Sequence, residues 1–104
     1  MRRTFEGKPA VMCQRWEEIE VGWGQRPDGF SLHLTLADRD AAVQAHWDRL
    51  PLMRPKEYEA PLGEPFWVEV SEEIAAQVEQ SAKAPRRGVW FCPSTPVPAR
   101  LLGG

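Results

Sequence analysis

The chain has 104 residues, which is long enough for one hydrophobic core and too short for two. Its composition, 42% hydrophobic and 27% charged, is typical of an ordinary water-soluble domain. No stretch approaches the ~20 apolar residues of a membrane span, and no apolar segment follows the basic start. The sequence therefore predicts neither a membrane protein nor a signal peptide, and it favours a cytoplasmic location.

The net charge of −2 conceals an uneven distribution. Residues 1–15 carry four basic residues and one acid, a balance of +3, and residues 81–104 carry four basic residues and no acid, a balance of +4. Residues 16–80 carry fourteen acids and five basic residues, a balance of −9. A field of this sign attracts basic protein surfaces and repels nucleic acid. The alternative is that the acids only keep the domain soluble.

A β-hairpin is the first predicted element. Apolar and polar residues alternate from Trp16 to Trp23 and again from Phe30 to Leu36, which is the pattern of strands with one buried face. Between them, Pro27-Asp28-Gly29 has the residue types that accept turn conformations. The two strands are therefore expected to pair as a hairpin.

Capping residues and apolar spacing predict two helices. Thr35 and Asp38 have the spacing of a capping box, and the apolar residues that follow predict a helix from about Leu36 to Leu50. Ser71 is placed as the N-cap of a second helix. The apolar stripe of that helix consists of Ile74, Val78 and Ala82.

Prolines and further alternation define the rest of the chain. Four prolines in residues 51–65 predict an extended linking loop, because proline interrupts regular hydrogen bonding. Short strands are predicted at Phe66–Val70 and at Val89–Cys92. Residues 93–104 are rich in proline and glycine and are predicted to form a mobile tail.

The element order ββαβαβ predicts an α+β fold, in which two helices pack on one face of a four-stranded, mainly antiparallel sheet. We expect a basic N-terminal segment (residues 1–14), a single α+β domain (15–92) and the Pro/Gly-rich tail (93–104). Cys13 and Cys92 match no ligand spacing and are expected to be free thiols in a reducing compartment, although a disulfide between them is left open.

The other face of this sheet is predicted to be open. Neighbouring strand residues point to opposite faces, so turning the apolar set toward the helices places polar residues and tryptophans on the far side. Exposed aromatic rings are unfavourable unless a partner covers them, so the open face predicts a protein-binding surface. The candidate partner-binding residues are Trp16, Glu18, Glu20, His33, Trp67 and Glu69. Alternatively, the proline-rich loop or the tail covers these rings. Two other tryptophans, Trp23 and Trp47, are expected to lie in the core.

Motifs for catalysis and for cofactor binding are missing from the sequence. It contains no P-loop, GxGxxG, HExxH or GxSxG pattern, so no enzyme and no cofactor are predicted. His33 and His46, together with the two cysteines, have separations that match no zinc finger or ribbon. No metal site is predicted.

The run from Arg15 to Gly24 (RWEEIEVGWG), followed by Arg26 to Thr35 (RPDGFSLHLT), resembles small accessory proteins of proteobacterial phages, plasmids and other mobile elements. The resemblance extends over about Arg15 to Phe91. Proteins of this kind are similar in size, acidity and genomic setting to anti-CRISPR proteins, which bind Cas effector complexes and block target DNA or nuclease recruitment. The resemblance implies an inhibitor that binds a basic surface of a host protein complex, with a type I Cas effector as the expected partner. The resemblance assigns no catalytic or binding role to any residue of this sequence.

Two other functions stay open at this point. A small nucleic-acid-binding regulator would place the basic termini on phosphates and stack exposed tryptophans on bases, although the charge of −9 on residues 16–80 disfavours it. A small enzyme or toxin would need a pocket with converging polar groups, of which the sequence gives no sign.

Overall fold

The computed structural model of the chain describes residues 3–51 and 55–101, and within these ranges it contains five strands and two helices. The strands are β1 (Arg3–Phe5), β2 (Lys8–Glu20), β3 (Gly24–His33), β4 (Glu57–Glu69) and β5 (Val89–Phe91). The helices are α1 (Leu36–Arg49), between β3 and β4, and α2 (Glu72–Ser81), between β4 and β5. The predicted α+β class and antiparallel sheet are confirmed, with one strand more than predicted. No helix in the described ranges is long and apolar enough to cross a membrane.

Strand β2 is the centre of the sheet and pairs antiparallel with β1, β3 and β4. Ala10 pairs with Arg3 on one side and with Glu69 on the other, so β1 and β4 flank β2 from opposite sides. Strand β5 pairs with the outer side of β3 through Phe30 to Leu32. The order across the sheet is therefore β4, β2, β3, β5, with β1 beside the beginning of β2.

The first half of β2 lies in the segment that is predicted to be a basic N-terminal extension. Val11 and Cys13 alternate along it and are 1% and 0% exposed, as expected of a central strand. Lys8 and Arg15 bound this buried stretch and are exposed. The basic residues therefore surround a core segment that belongs to the domain. Residues 1 and 2 of the predicted extension lie outside the described residues.

Strand β4 begins inside the stretch that the prolines predict to be a loop, and this prediction is wrong from Glu57 onward. Pro61 and Pro65 both lie within β4. Sheets accept proline at edge strands and at bulges, and β4 has both features: it lies at the edge of the sheet, and its register shifts opposite Cys13 to Arg15. Residues 52–54 of the predicted loop lie outside the described residues.

The two helices cover opposite faces of the sheet, so the prediction that both pack on one face is wrong. Helix α2 packs on the hydrophobic core, which contains Val11, Cys13, Phe30, Leu32, Leu34, Val68 and Val78. Helix α1 covers the other face, where Arg39 Nε donates to Gln14 Oε1 at 2.8 Å and the ring centroid of His46 lies 5.0 Å from that of Trp16. Gln14 and Trp16 alternate with the core residues of β2 and point away from α2.

The segment 93–101 crosses the core face from β5 to the far edge of β4. Pro96 and Pro98 line an apolar cavity of about 280 Å³ together with core residues. At β4, Leu101 N donates to the carbonyl oxygen of Trp67 at 2.9 Å. The Arg100 guanidinium lies 4.7 Å from the centroid of the Phe66 ring. Mobility of this segment stays a prediction, and residues 102–104 lie outside the described residues.

Candidate interaction surface

Trp16 and His33, two of the predicted partner-binding residues, lie beneath α1 and are 2% and 0% exposed. They belong to a chain of buried hydrogen bonds. Trp16 Nε1 donates to Ser31 Oγ at 2.7 Å, Ser31 Oγ lies 2.7 Å from His33 Nε2, and His33 Nδ1 lies 2.8 Å from the carbonyl oxygen of Arg87. The open face predicted for these two residues is therefore wrong.

The protonation state of His33 follows from its partners. A carbonyl oxygen can only accept, so Nδ1 of His33 carries the proton and Nε2 accepts from the Ser31 hydroxyl. Burial lowers the pKa of His33, which favours the neutral ring. Serine and histidine at this distance resemble the nucleophile and base of a hydrolase, but both are 0% exposed. In this structure the pair holds β3 to the segment that precedes β5.

The other four predicted residues separate into two groups. Trp67 and Glu69 lie near the beginning of β2, where Arg3 is 4.6 Å from the Trp67 ring centroid and Lys8 Nζ is 3.6 Å from Glu69 Oε1. Glu18 and Glu20 lie at the opposite end of β2. Ten residues of extended strand, about 33 Å, separate the two ends. The six predicted residues therefore do not form one site.

Glu18 and Glu20 belong to an acidic arm, which we define as the paired strand segments 17–20, 24–28 and 57–60. The arm contains six acids and a single basic residue, Arg26, and its formal charge is −5. Arg26 NH2 lies 3.0 Å from Glu18 Oε2 and 3.8 Å from Glu20 Oε1. Its guanidinium balances only part of the charge, so the arm stays strongly negative.

Two carboxyl groups of the arm share a proton. Glu59 is hydrogen-bonded to Asp28, and two carboxyl groups share a hydrogen bond only when one of them carries a proton. This bond, followed by burial and by the charges of Asp28 and Glu18, raises the pKa of Glu59 to about 7 against the opposing effect of Arg86. The arm therefore takes up or releases a proton close to neutral pH.

The Glu59 carboxyl gives a testable pH dependence. The unfolded chain releases this proton near pH 4.5 and the folded chain near pH 7, so folded stability falls as the pH rises through this window. Replacing Glu59 with glutamine removes the free-energy cost of deprotonating this carboxyl in the folded chain. We expect Glu59→Gln to melt at a higher temperature than the wild type at pH 8 and at a similar temperature at pH 4. A difference in melting temperature that does not change with pH would contradict the shared proton, and Glu64→Gln on the same strand is the control.

The tip of the hairpin between β2 and β3 is apolar and exposed. Trp23 is 87% exposed and Val21 is 61% exposed, so the prediction of Trp23 as a core residue is wrong. Trp23 N donates to the carbonyl oxygen of Glu20 at 2.9 Å, which closes a turn directly after β2 ends. Gly22 and Gly24 adopt φ angles of +90° and +109°, which side chains rarely accept. The glycines on both sides of Trp23 are the sequence signal of this turn.

The exposed ring of Trp23 lies next to the acids of the arm. Trp23, Glu18, Glu20 and Arg26 line a shallow pocket of about 210 Å³. The pocket has an aromatic wall, two carboxylates and a guanidinium. Exposed aromatic surface beside converging charges is typical of a protein-binding site rather than of a solvated hairpin.

The cysteines differ sharply in their surroundings. Cys13 is buried, which raises the pKa of its thiol to about 12, whereas hydrogen bonds from Ser94 and Thr95 lower the pKa of the exposed Cys92 to about 7. The two cysteines are not bonded to each other. Across residues 3–51 and 55–101, no group of three or more His, Cys, Asp and Glu side chains is arranged to hold a metal ion.

No family model matches the chain, and neither does any curated protein or solved structure.

Proposed function

We propose that the chain is a non-enzymatic binding protein that docks its hairpin tip and acidic arm on a basic surface of another protein. The observation that carries this proposal is the Trp23 ring, which is 87% exposed beside an arm with six acids and one arginine. Fully exposed indole is unfavourable in water, and tryptophan is enriched among the few residues that supply most of the binding energy of interfaces.

The position of the arm supports this function. A strand of 13 residues is about 43 Å long, close to the 46 Å longest dimension of the molecule. The arm includes the last residues of β2, so it lies toward one end of the molecule, and α1 contacts it through His46, whose Nε2 lies 2.6 Å from the carbonyl oxygen of Glu59. A protruding end can enter a concave surface. Its charge would accelerate the encounter with a basic partner and orient it.

The partner that we propose to test first is a type I Cas effector complex. The mobile-element resemblance of Arg15 to Phe91 favours this class, and the channel that holds nucleic acid in such complexes is positively charged. In this proposal the chain is an inhibitor of the effector, acting in the cytoplasm of the host cell. The proposed inhibition requires no catalytic residue and no cofactor.

Replacing Trp23 with alanine should remove the anchor while leaving the fold intact. We expect the affinity for the partner to fall about thirtyfold or more, because truncating a central tryptophan commonly costs 2 kcal/mol or more of binding free energy. Wild type and Trp23→Ala are used as bait with bacterial lysate, and the captured proteins are quantified by mass spectrometry. Inhibition of type I CRISPR interference is measured with the same two proteins.

Val97→Ala is the matched control, because Val97 is also an exposed apolar residue, at 44%, and lies on the C-terminal segment. The Val97→Ala variant should capture the same partner as the wild type.

A second test reverses Glu18 and Glu20 to lysine, with Glu64 and Glu73 reversed to lysine as a control of equal charge change. A partner that binds all of these variants equally would refute the hairpin tip and arm as the binding surface.

A further inference from the structure

Arginine side chains cover several of the aromatic rings in this protein. The guanidinium carbon lies 4.3 Å from the ring centroid for Arg86 and Trp90, 4.6 Å for Arg3 and Trp67, and 4.7 Å for Arg100 and Phe66. These distances are within the range of cation–π attraction. Stacking of arginine on an aromatic ring is therefore a recurrent contact of this chain.

Trp23 is the exception among the five tryptophans. Trp16 and Trp47 each contact the ring of His46, at 5.0 and 5.2 Å between centroids. Within residues 3–51 and 55–101, Trp23 has neither an aromatic nor a cationic group on its ring, and the side chain is 87% exposed. One face of its indole is therefore available to a binding partner.

The pocket beside Trp23 already holds one guanidinium. Arg26 donates from NH2 to Glu18 Oε2 at 3.0 Å and from Nε to the same oxygen at 3.4 Å. Glu20 is farther from Arg26, at 3.8 Å, and its carboxylate is less fully engaged. The pocket of about 210 Å³ therefore combines an unoccupied indole face with a carboxylate that can accept another hydrogen bond.

We propose that an arginine side chain of the partner stacks on the Trp23 ring and donates to Glu20. This inference rests on the proposed function and specifies the contact at its centre. The negative charge of the arm complements a cation. The wall of indole favours arginine over lysine, because a planar guanidinium stacks on an aromatic face and still donates in its own plane, whereas an ammonium is compact and strongly hydrated.

The test compares two probes of equal charge, a nona-arginine peptide and a nona-lysine peptide, at low salt. We expect the wild type to bind nona-arginine about two- to fivefold more tightly than nona-lysine, which is the range for exposed cation–π contacts. In Trp23→Leu, which keeps an apolar side chain without a ring, the two peptides should bind equally. In Trp23→Phe, part of the preference should remain.

A site-specific readout accompanies the affinities. The indole N–H resonance of Trp23, assigned by its absence from the spectrum of Trp23→Leu, should shift on addition of nona-arginine and shift less with nona-lysine. Equal binding of the two peptides by the wild type, or an arginine preference that survives in Trp23→Leu, would overturn the stacking contact and leave binding to basic surfaces intact. Failure of both peptides to bind at low salt would overturn the proposed function as well.

Discussion

Replacing Trp16 with alanine is expected to lower the free energy of unfolding by about 3–5 kcal/mol. The ring is 2% exposed, packs edge-on against His46 at 5.0 Å, and donates from Nε1 to Ser31. Its removal opens a cavity beneath α1 and takes a donor from a buried hydroxyl. The whole stability of a domain of this size is about 5–10 kcal/mol, so the variant should be close to unfolding at room temperature. Denaturant titration followed by circular dichroism measures the change.

The matched control is Trp23→Ala, which removes the same side chain from an exposed position. We expect it to change the free energy of unfolding by less than about 0.5 kcal/mol. A second comparison, Trp16→Phe, retains much of the ring but loses the hydrogen bond, and should lie between the two. Equal losses for Trp16→Ala and Trp23→Ala would contradict the burial of Trp16 under α1.

Replacing Gly29 with alanine is expected to lower the free energy of unfolding by about 3 kcal/mol or more, because steric overlap adds to backbone strain. A Cβ atom at this position would lie 2.1 Å from the carbonyl oxygen of Phe91. That oxygen belongs to β5, which pairs with β3 at Phe30 and Phe91. The methyl group must therefore push β5 away from β3. Thermal melting and amide exchange of residues 89–91 report this loss.

Gly22→Ala separates the effect of steric overlap from the effect of backbone strain on the stability of Gly29→Ala. Gly22 has a φ of +90°, almost the same as the +89° of Gly29, but a Cβ atom there would meet no atom within 4 Å. The Gly22→Ala substitution should lower the free energy of unfolding by about 1–2 kcal/mol, which is the strain of a left-handed backbone alone. If Gly29→Ala destabilises the chain no more than Gly22→Ala, the close approach of β5 to Gly29 is absent.

The helices could be predicted from the sequence because the signals that define them are local. Thr35 Oγ1 accepts from Asp38 N at 3.1 Å, and Ser71 Oγ accepts from Ile74 N at 3.2 Å, as their spacing predicts. Helix α1 ends at Arg49, one residue before its predicted end. A capping side chain and the residue that it caps are three positions apart, so the sequence contains the whole interaction.

The face covered by each helix could not be predicted in the same way. Alternation shows that Ser31 and His33 point away from Leu32, but it does not show whether another element covers them. Polar residues on a strand are usually exposed, whereas Ser31 and His33 are buried and hydrogen-bonded to each other. The partners of such residues are distant in sequence: the carbonyl of Arg87 is 54 positions from His33.

The hairpin tip was missed for a different reason. In the sequence the alternation of Ile19, Val21 and Trp23 continues across Gly22, whereas β2 ends at Glu20. Beyond that residue the chain turns, so parity with the buried face no longer applies. The alternation predicts Trp16 and Trp67 as the exposed rings on the face of Glu18 and Glu20, whereas the exposed ring beside these acids in the structure is that of Trp23.

Hydroxyl-radical footprinting, read residue by residue by mass spectrometry, tests the hairpin tip most directly as the binding surface. In the free chain, we expect Trp23 to be oxidised fastest of the five tryptophans and Trp16 to be protected. In the complex captured with the wild-type chain, oxidation of Trp23 should fall strongly, while Trp16 should stay protected. A Trp23 ring oxidised at the same rate in the free chain and in the complex would contradict the proposed surface.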